Sequence, residues 1–466
     1  MPRRGILALL ILLAGCRPDV PASPHGQPVS APPAAATVRP FRMGRPDFVL
    51  LITGGTNGRL EVCNCAGPMP GGLARRSGLV RSYRAAFANT FLIDLGDAFW
   101  IEPNDLRNDF LLPGYRQIGY DAVVLGDQEW AAEAGRLNGL LRSTKLEYLS
   151  STVSCPPVAA GRVVTRQWGE VKLAVVSDVR PEAFRFVPRR RVEALRFSPP
   201  EQLARRVSRL KEDGFVVVVA AHVDAENLPS AAALGADLIL RGHTTRSDPK
   251  LRRVAGTPVV KVGGSETVGV VAVKTDGGRI TAIEHRVELV STSWPLDKRL
   301  LEIYQAYAHA AMRRALDADR KEGLDYVASA ACGRCHRRQY AAWMAGPHSR
   351  AYRTLVRVKR TGDPNCLMCH TSGFGTKKGF HTIQRTPHLA GVNCQDCHRF
   401  NVAEHHKKGF RLPRVDGKVC TTCHTPVTDP RFDYERKAAK VRCPHAPPEV
   451  PVMAGARAAA PSPRRP

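Results

Sequence analysis

The sequence predicts two folded units of different class: an α/β layered domain, then a small, mostly helical domain with little apolar core of its own. Three observations predict this. From Phe48 to about Leu289, short apolar runs alternate with amphipathic stretches, the pattern of buried strands joined by helices. In the last third, Cys-x-x-Cys-His occurs four times within 93 residues, at Cys332–His336, Cys366–His370, Cys394–His398 and Cys420–His424. Ten of the 15 His lie at or after His336.

Cys-x-x-Cys-His is the attachment signature of c-type haem. Two thiols add across the porphyrin vinyl groups, and the adjacent His ligates the iron. The pairs Cys332 and Cys335, Cys366 and Cys369, Cys394 and Cys397, and Cys420 and Cys423 therefore predict four covalently bound haem c groups. Their proximal ligands are His336, His370, His398 and His424. So many porphyrins on so short a segment leave little room for side-chain packing, so the haems themselves are expected to be the core. Cys-x-x-Cys alone also suits zinc knuckles or reducible disulfides. The His in every copy, together with an export signal, favours haem.

That signal opens the chain. Arg3 and Arg4 precede an apolar run, Ile6 to Leu13, too short to span a bilayer. Leu13-Ala14-Gly15-Cys16 resembles the lipobox of bacterial lipoproteins, which implies cleavage before Cys16 and lipidation of its sulfur. Residues 1–16 read as this signal, and the chain is expected to be periplasmic and tied to the membrane by its N-terminal lipid. Arg17, in place of a retaining Asp, favours the outer membrane.

The remaining elements follow in order. Residues 17–46 are rich in Pro, Ala and Ser and read as a flexible tether. Residues 47–295 form the α/β domain, with strands at Phe48–Ile52, Phe91–Leu95, Ala122–Leu125, Phe215–Ala221 and Leu238–Leu240. Leu137–Leu141 and Glu201–Lys211 are amphipathic helices between them. Residues 296–325 are a helical linker, from the spacing of Leu300, Ile303, Tyr304, Tyr307 and Met312. Residues 326–447 carry the haems, and 448–466 are a Pro, Ala and Arg tail.

The formal charge of +27 is high. It overstates the mature protein, because Arg3 and Arg4 leave with the signal and each haem brings two propionates. A basic surface suits acidic redox partner proteins. Nucleic acid is excluded as a partner, since the chain is exported and carries no recognition motif.

Besides the proximal ligands, His348, His381, His388, His405, His406 and His445 remain for the far faces of the irons. This clustering favours bis-His ligation, suited to electron transfer. His348, His388, His405 and His445 are the candidates carried forward, with His381 and His406 as competitors and Met344 and Met368 less suitable. His348 lies 12 residues after His336, roughly 18 Å along a helix, so it would cap a neighbouring haem rather than its own.

Three stretches carry a resemblance: Cys332-Gly-Arg-Cys-His336 with Tyr340, Trp343 and His348-Ser-Arg-Ala351; Cys366-Leu-Met-Cys-His-Thr-Ser-Gly-Phe374 with Leu389-Ala-Gly-Val-Asn-Cys-Gln-Asp-Cys-His398; and Cys420-Thr-Thr-Cys-His-Thr with Pro430-Arg-Phe-Asp-Tyr434 and His445. Together they resemble the nitrifier tetrahaem cytochrome family of the c-554 type. The resemblance covers about Tyr326 to His445 and implies an electron carrier with His348 and His445 as distal ligands. Some members leave one haem five-coordinate. Arg399-Phe400 departs from the family pattern, which leaves the choice between His405 and His406 open.

The α/β domain carries a second resemblance. Leu51-Ile-Thr-Gly-Gly-Thr-Asn-Gly-Arg-Leu60, Gly71-Gly-Leu-Ala-Arg-Arg76, Asp94-Leu-Gly-Asp97, Gly126-Asp-Gln-Glu129, Ala221-His222 and Arg241-Gly-His243 resemble the periplasmic 5′-nucleotidases. These are calcineurin-like metallophosphoesterases, which implies a four-layer αββα sandwich. The active family clamps phosphate between two metal ions. Here Gly55 and Asn57 stand where one ion takes an Asp and a His, Thr245 stands at its last ligand position, and Gln128 replaces the catalytic His. Asp97, Asp127, His222 and His243 remain, either as one mononuclear site for a divalent metal ion or as relics of the fold.

Of 13 Cys, removing one for lipid and eight for haem leaves Cys63, Cys65, Cys155 and Cys443. In an oxidising compartment a disulfide from Cys63 or Cys65 to Cys155 is expected, with a Cys-x-Cys metal or haem contact as the alternative. Three function classes compete. The leading one is an electron-transfer lipoprotein with an inactive phosphoesterase-like domain as scaffold, dock or sensor. The others are a redox enzyme acting on a small nitrogen or sulfur compound at an open haem, and a metal-dependent phosphoester hydrolase.

Overall fold

Two faces of one strand explain the layering of the N-terminal half. In Val216–His222, Val216, Val218 and Ala220 face a core shared between two sheets, whereas Val217, Val219 and Ala221 face a second core under helices. A strand with both faces buried reads as a continuous apolar run, which is why this segment has no polar alternation. The computed structural model describes residues 36–444, apart from 64, 66, 103, 104, 319, 426, 427 and 430. Cys16, His445, the signal, most of the tether and the tail lie outside the described residues.

The strands in chain order are β1 (Phe48–Thr53), β2 (Thr90–Asp94), β3 (Ala122–Val124), β4 (Tyr148–Leu149), β5 (Val153–Ser154), β6 (Val164–Trp168) and β7 (Val171–Val179). They continue as β8 (Arg196–Phe197), β9 (Val216–His222), β10 (Leu238–Arg241), β11 (Arg252–Val254), β12 (Thr257–Lys261), β13 (Thr267–Asp276) and β14 (Arg279–Leu289). One six-stranded sheet has the order β14-β13-β1-β2-β3-β4, and a second has β11-β12-β10-β9-β7-β6. In the first, β1 to β4 run parallel and β13 and β14 form an antiparallel edge. In the second, β7, β9, β10 and β12 are parallel.

The helices of this half are α1 (Leu73–Ala86), α2 (Leu106–Ile118), α3 (Asp127–Trp130), α4 (Ala134–Thr144), α5 (Arg189–Val192), α6 (Pro200–Glu212) and α7 (Leu228–Ala232). Leu203 and Val207 of α6 and Ala231 of α7 cover the outer face of the second sheet, while α1, α2 and α4 bury Leu79, Tyr115 and Leu137 with the first. Helix, sheet, sheet, helix is the αββα sandwich that the resemblance to the 5′-nucleotidases implies.

The expected linker helix is α8 (Lys298–Asp317), and it is not free. Leu300, Tyr304 and Tyr307 join the main core, and Tyr307 meets Phe110 of α2 edge-on at 5.9 Å. Asp297 starts the helix by accepting from Arg299 N. From its other side, Tyr304 donates to buried Asp363, which also caps Pro364–His370, the helix of the second haem motif. One helix thus fixes the haem domain to the sandwich.

The haem domain is a set of short helices, Ser329–Gly333, Arg337–Ala345, Ala351–Arg357, Pro364–His370, Cys394–His398, Val402–His405, Gly417–Thr421 and Tyr434–Ala438. Its own side-chain core is small: Tyr352, Leu355, Leu367, Phe380 and Leu389. Among the described residues, no helix is long and apolar enough to cross a membrane.

Candidate functional site

Within each haem motif, one helical turn does the positioning. His336 N bonds Cys332 O and His424 N bonds Cys420 O, both at 2.9 Å, so Cys, Cys and His at i, i+3 and i+4 share one face. Caps hold these short turns. Asp363 and Asp416 accept from backbone N–H groups at the second and fourth motifs, and Asn393 with Asp396 makes a capping box at the third.

All four motifs open onto one cavity of about 2910 Å³. Small-molecule pockets span roughly 300–1,000 Å³, so this space suits several large groups rather than one ligand. A polypeptide would not leave such a void among its side chains without something to fill it. The donor set, the turn geometry and the space all fit covalently bound haem.

Two of the motif imidazoles are oriented for iron. His370 donates its Nδ1 hydrogen to Ala351 O at 2.9 Å, and His424 donates its own to Asp429 at 2.9 Å. Each leaves Nε2 as the free lone pair. Two imidazoles on opposite faces of one iron lie about 6 Å apart, ring to ring, given metal–nitrogen bonds of about 2 Å. His348 and His424 stand at 6.3 Å, and His336 and His405 at 5.8 Å. His348 is thus across from the fourth motif rather than its own. His405, which also packs on Phe400 at 5.1 Å, is the one of the adjacent pair brought to a proximal ligand. Among the described residues no second His ring faces His370 or His398 in this way. His388 is exposed and outside the cavity lining, and His381 is also outside it.

A second constellation lies in the sandwich, at the C-terminal ends of strands from both sheets. Asp97 follows β2, Asp127 follows β3, His222 ends β9 and His243 follows β10. One ligand atom from each falls within 4.8 Å of all the others. His222 Nε2 is 2.9 Å from Asp127 Oδ1 and 3.4 Å from Asp97 Oδ1; His243 Nδ1 is 3.3 Å from Asp97 Oδ2. Asp97 and His243 both sit at positive φ, 56° and 48°, a strained backbone concentrated at this site. Gly96 and Gly126 lie against His222, where a Cβ would stand 2.9 and 2.5 Å from its ring atoms.

The electrostatics call for a cation. His222 donates Nδ1–H to Leu95 O at 2.8 Å, which points the Nε2 lone pair at two carboxylates. Without an ion, only a second proton reconciles them. Accordingly the neighbouring carboxylates hold His222 well above the usual histidine range despite its burial, and lift His243 to about 9. Asp97 Oδ1 and His243 Nδ1 are buried with no hydrogen-bond partner. The residues fit one divalent metal ion with mixed N/O ligands.

Two residues outside the predicted set complete it. Glu129 accepts from Asp97 N, Gly126 N and Phe99 N, fixing the Asp97 turn; burial, then Asp97, pushes its carboxyl up to about 8. Asp224 stands behind His243, 3.8 Å from Nε2. Charge counting could have found Glu129, because it sits in the Gly126–Glu129 motif.

Gly55, Asn57, Gln128 and Thr245, the positions at which the sequence departs from the 5′-nucleotidase pattern, offer no ionic ligand. Gln128 Nε2 donates to Asn57 Oδ1 at 2.9 Å, and Asn57 Nδ2 donates to Gly55 O at 2.9 Å. Thr245 is exposed. One hydrogen bond joins these two neutral amides, and Gln128 Oε1 is buried without a partner.

The cysteines correct one expectation. Cys63 pairs with Cys65, and Cys155 is a free thiol, so the predicted long-range disulfide does not form. Cys155 instead points its Sγ at Pro156 O.

An αββα sandwich of metallophosphoesterase-like fold, followed by a segment with four Cys-x-x-Cys-His motifs, is what the fold and these sites define. Residues 331–399 match the family described as cytochrome c554 and c-prime. The chain is also similar to cytochrome c-554 of Nitrosomonas europaea, 28% identical over 128 residues, covering 20% of this chain and 54% of that one. Among solved structures it is similar to the sulfate thiohydrolase SoxB of Thermus thermophilus in complex with glycerol. The TM-score is 0.52 at 19% identity, over 62% of this chain and 64% of that one. A 5′-nucleotidase precursor from Thermus thermophilus follows at TM-score 0.49 and 20% identity, over 74% and 73%. The chain thus spans about half of the curated relative and under two thirds of the first solved structure.

Proposed function

We propose that this protein is a lipid-anchored periplasmic cytochrome that transfers electrons through four covalently bound haem c groups. The observation that carries this reading is the cavity of about 2910 Å³ onto which all four Cys-x-x-Cys-His motifs open. When bound, the haems supply one-electron redox chemistry. The chain's own residues anchor them through eight thiols, orient the imidazoles through Asp429 and Ala351, and hold the cytochrome to the sandwich through Tyr304 and Asp363. Cys16 carries the lipid, the outer membrane is the favoured location, and the basic surface meets acidic redox partners.

The sandwich acts as a scaffold or dock that binds one divalent cation and does not hydrolyse phosphoesters. The Asn57–Gln128 pair supports this, because amides replace a metal ligand and the proton donor to the leaving oxygen. A haemochrome assay on the membrane fraction of the native host should count four haems per chain. The same holoprotein, supplied with Mn or Zn, should leave nucleotides and bis-phosphoesters intact. Fewer than four haems, or turnover abolished by Asp97→Ala, would reject the corresponding half of the reading.

A second reading, a redox enzyme, is favoured by one observation. Neither His370 nor His398 has a facing imidazole among the described residues, which suits a five-coordinate iron at one of the two motifs, able to bind a small molecule. Carbon monoxide binding by the reduced holoprotein separates it from a pure carrier.

A further inference from the structure

The wall of the haem cavity is not made by the haem domain alone. Leu60, Glu61, Cys63 and Cys65, from the loop between β1 and α1 of the sandwich, line it too. Cys63 and Cys65 are disulfide-bonded with a sequence separation of 2.

This bond has little structural work to do. A disulfide stabilises chiefly by closing a loop in the unfolded chain, and the effect is smallest for the shortest loops. The loop is also tied down on its own: Leu73 N bonds Leu60 O at 3.0 Å, and Gly71 N bonds Val290 O at 2.8 Å. Leu60 is itself buried in the main core. The placement of the two sulfurs therefore needs another reason. Cys65 is exposed and Cys63 half-buried, so one sulfur meets solvent while both line the cavity.

The loop also has a definite neighbour among the motifs. Glu61 lies within the field of Arg360, a haem-domain residue whose guanidinium stands 5.0 Å over the Tyr304 ring. Arg360 and Asp363 in turn flank Cys366, the first thiol of the second motif.

We propose that Cys63 and Cys65 are a redox-active dithiol–disulfide pair that exchanges two electrons, one at a time, with the haems by way of the one bound at Cys366, Cys369 and His370. The inference rests on the haem reading above. In the reducing half, a thiolate of a dithiol partner attacks Cys65 Sγ, and Cys63 leaves as the thiolate. The partner's second thiol resolves the mixed disulfide, so the partner is oxidised and Cys63 and Cys65 become thiols. In the returning half, both S–H bonds are lost and the S–S bond re-forms. Two protons pass to the Glu61 carboxylate and solvent, and two electrons pass one at a time to two ferric irons. The substrate class is a dithiol carried by a protein or small molecule, and the haems carry its electrons onward.

The test uses the full-length holoprotein, titrated reductively by anaerobic coulometry and quenched in acid with a maleimide before mass mapping. Wild type should take up two more electrons per chain than the Cys63→Ser/Cys65→Ser variant. Maleimide on Cys63 and Cys65 should appear as the haem bands reduce. A disulfide that stays unlabelled when the haems are fully reduced, or equal electron counts in the two proteins, overturns the proposal. If the variant does not take up haem, labelling of wild type decides alone. A haem count on the same sample separates the two levels: four haems with an inert disulfide sinks this inference only, and absent haem sinks both.

Discussion

His348 lies 6.3 Å, ring to ring, from His424, though 76 residues separate them in the chain. The separation is what two imidazoles sharing one iron require, and it ties the turn after Arg337–Ala345 to the last motif. His348→Ala should convert one low-spin haem to a high-spin or ligand-binding form, while His348→Met should raise its potential. Paramagnetic resonance and carbon monoxide binding read this out. An unchanged low-spin population would show that His348 is not a ligand.

Asp429 accepts from His424 Nδ1 at 2.9 Å and from Lys437 at 3.0 Å. A carboxylate behind a ligating imidazole makes it more basic and favours the ferric state. Asp429→Asn should raise the potential of that haem, by about 60 mV if ferric stabilisation falls tenfold. Spectroelectrochemistry of the holoprotein measures it.

Asp97, Asp127, His222 and His243 should bind one divalent ion per chain. Glu129→Gln, which alters the clamp on the Asp97 turn without removing a ligand, should weaken binding about 10- to 100-fold. Because His243 is lifted to about 9, uptake near neutral pH must displace its proton. Affinity should therefore fall as pH drops, with proton release visible by calorimetry in buffers of different ionisation enthalpy. No proton release would exclude these histidines as ligands.

Tyr304 and Asp363 couple the two domains through a buried hydrogen bond. Tyr304→Phe leaves Asp363, only 4% exposed, without that donor. The cost should be about 1–2 kcal/mol, seen as earlier unfolding of the haem domain in denaturant.

His285 on β14 is half-buried with neither ring nitrogen hydrogen-bonded, and burial lowers it to about 4 from 6.5. The unfolded chain binds this proton more readily than the folded one. Stability is thus full above about 6.5 and declines as pH falls toward 4. Discounted for partial exposure, the loss is on the order of 1–2 kcal/mol. His285→Gln should flatten this slope; an unchanged slope would place the titrating group elsewhere.

The buried strands were legible because both faces of β9 are apolar, and the haem motifs because attachment chemistry dictates a contiguous spacing. The disulfide was not. Cys63 and Cys65 satisfy each other across one residue, and no sequence rule ranks that closure against a reach to Cys155.

By itself the sequence determined the haem attachment points and the layered α/β class, because both are written in local spacing or periodicity; the four candidate ligands of the sandwich came from the resemblance to the periplasmic 5′-nucleotidases. Only the tertiary structure set His348 against His424, chose His405 over His406 for His336, and laid Cys63 and Cys65 on the wall of the haem cavity. Those relationships depend on which distant elements pack together, and packing is decided by the whole core rather than by neighbours in the chain.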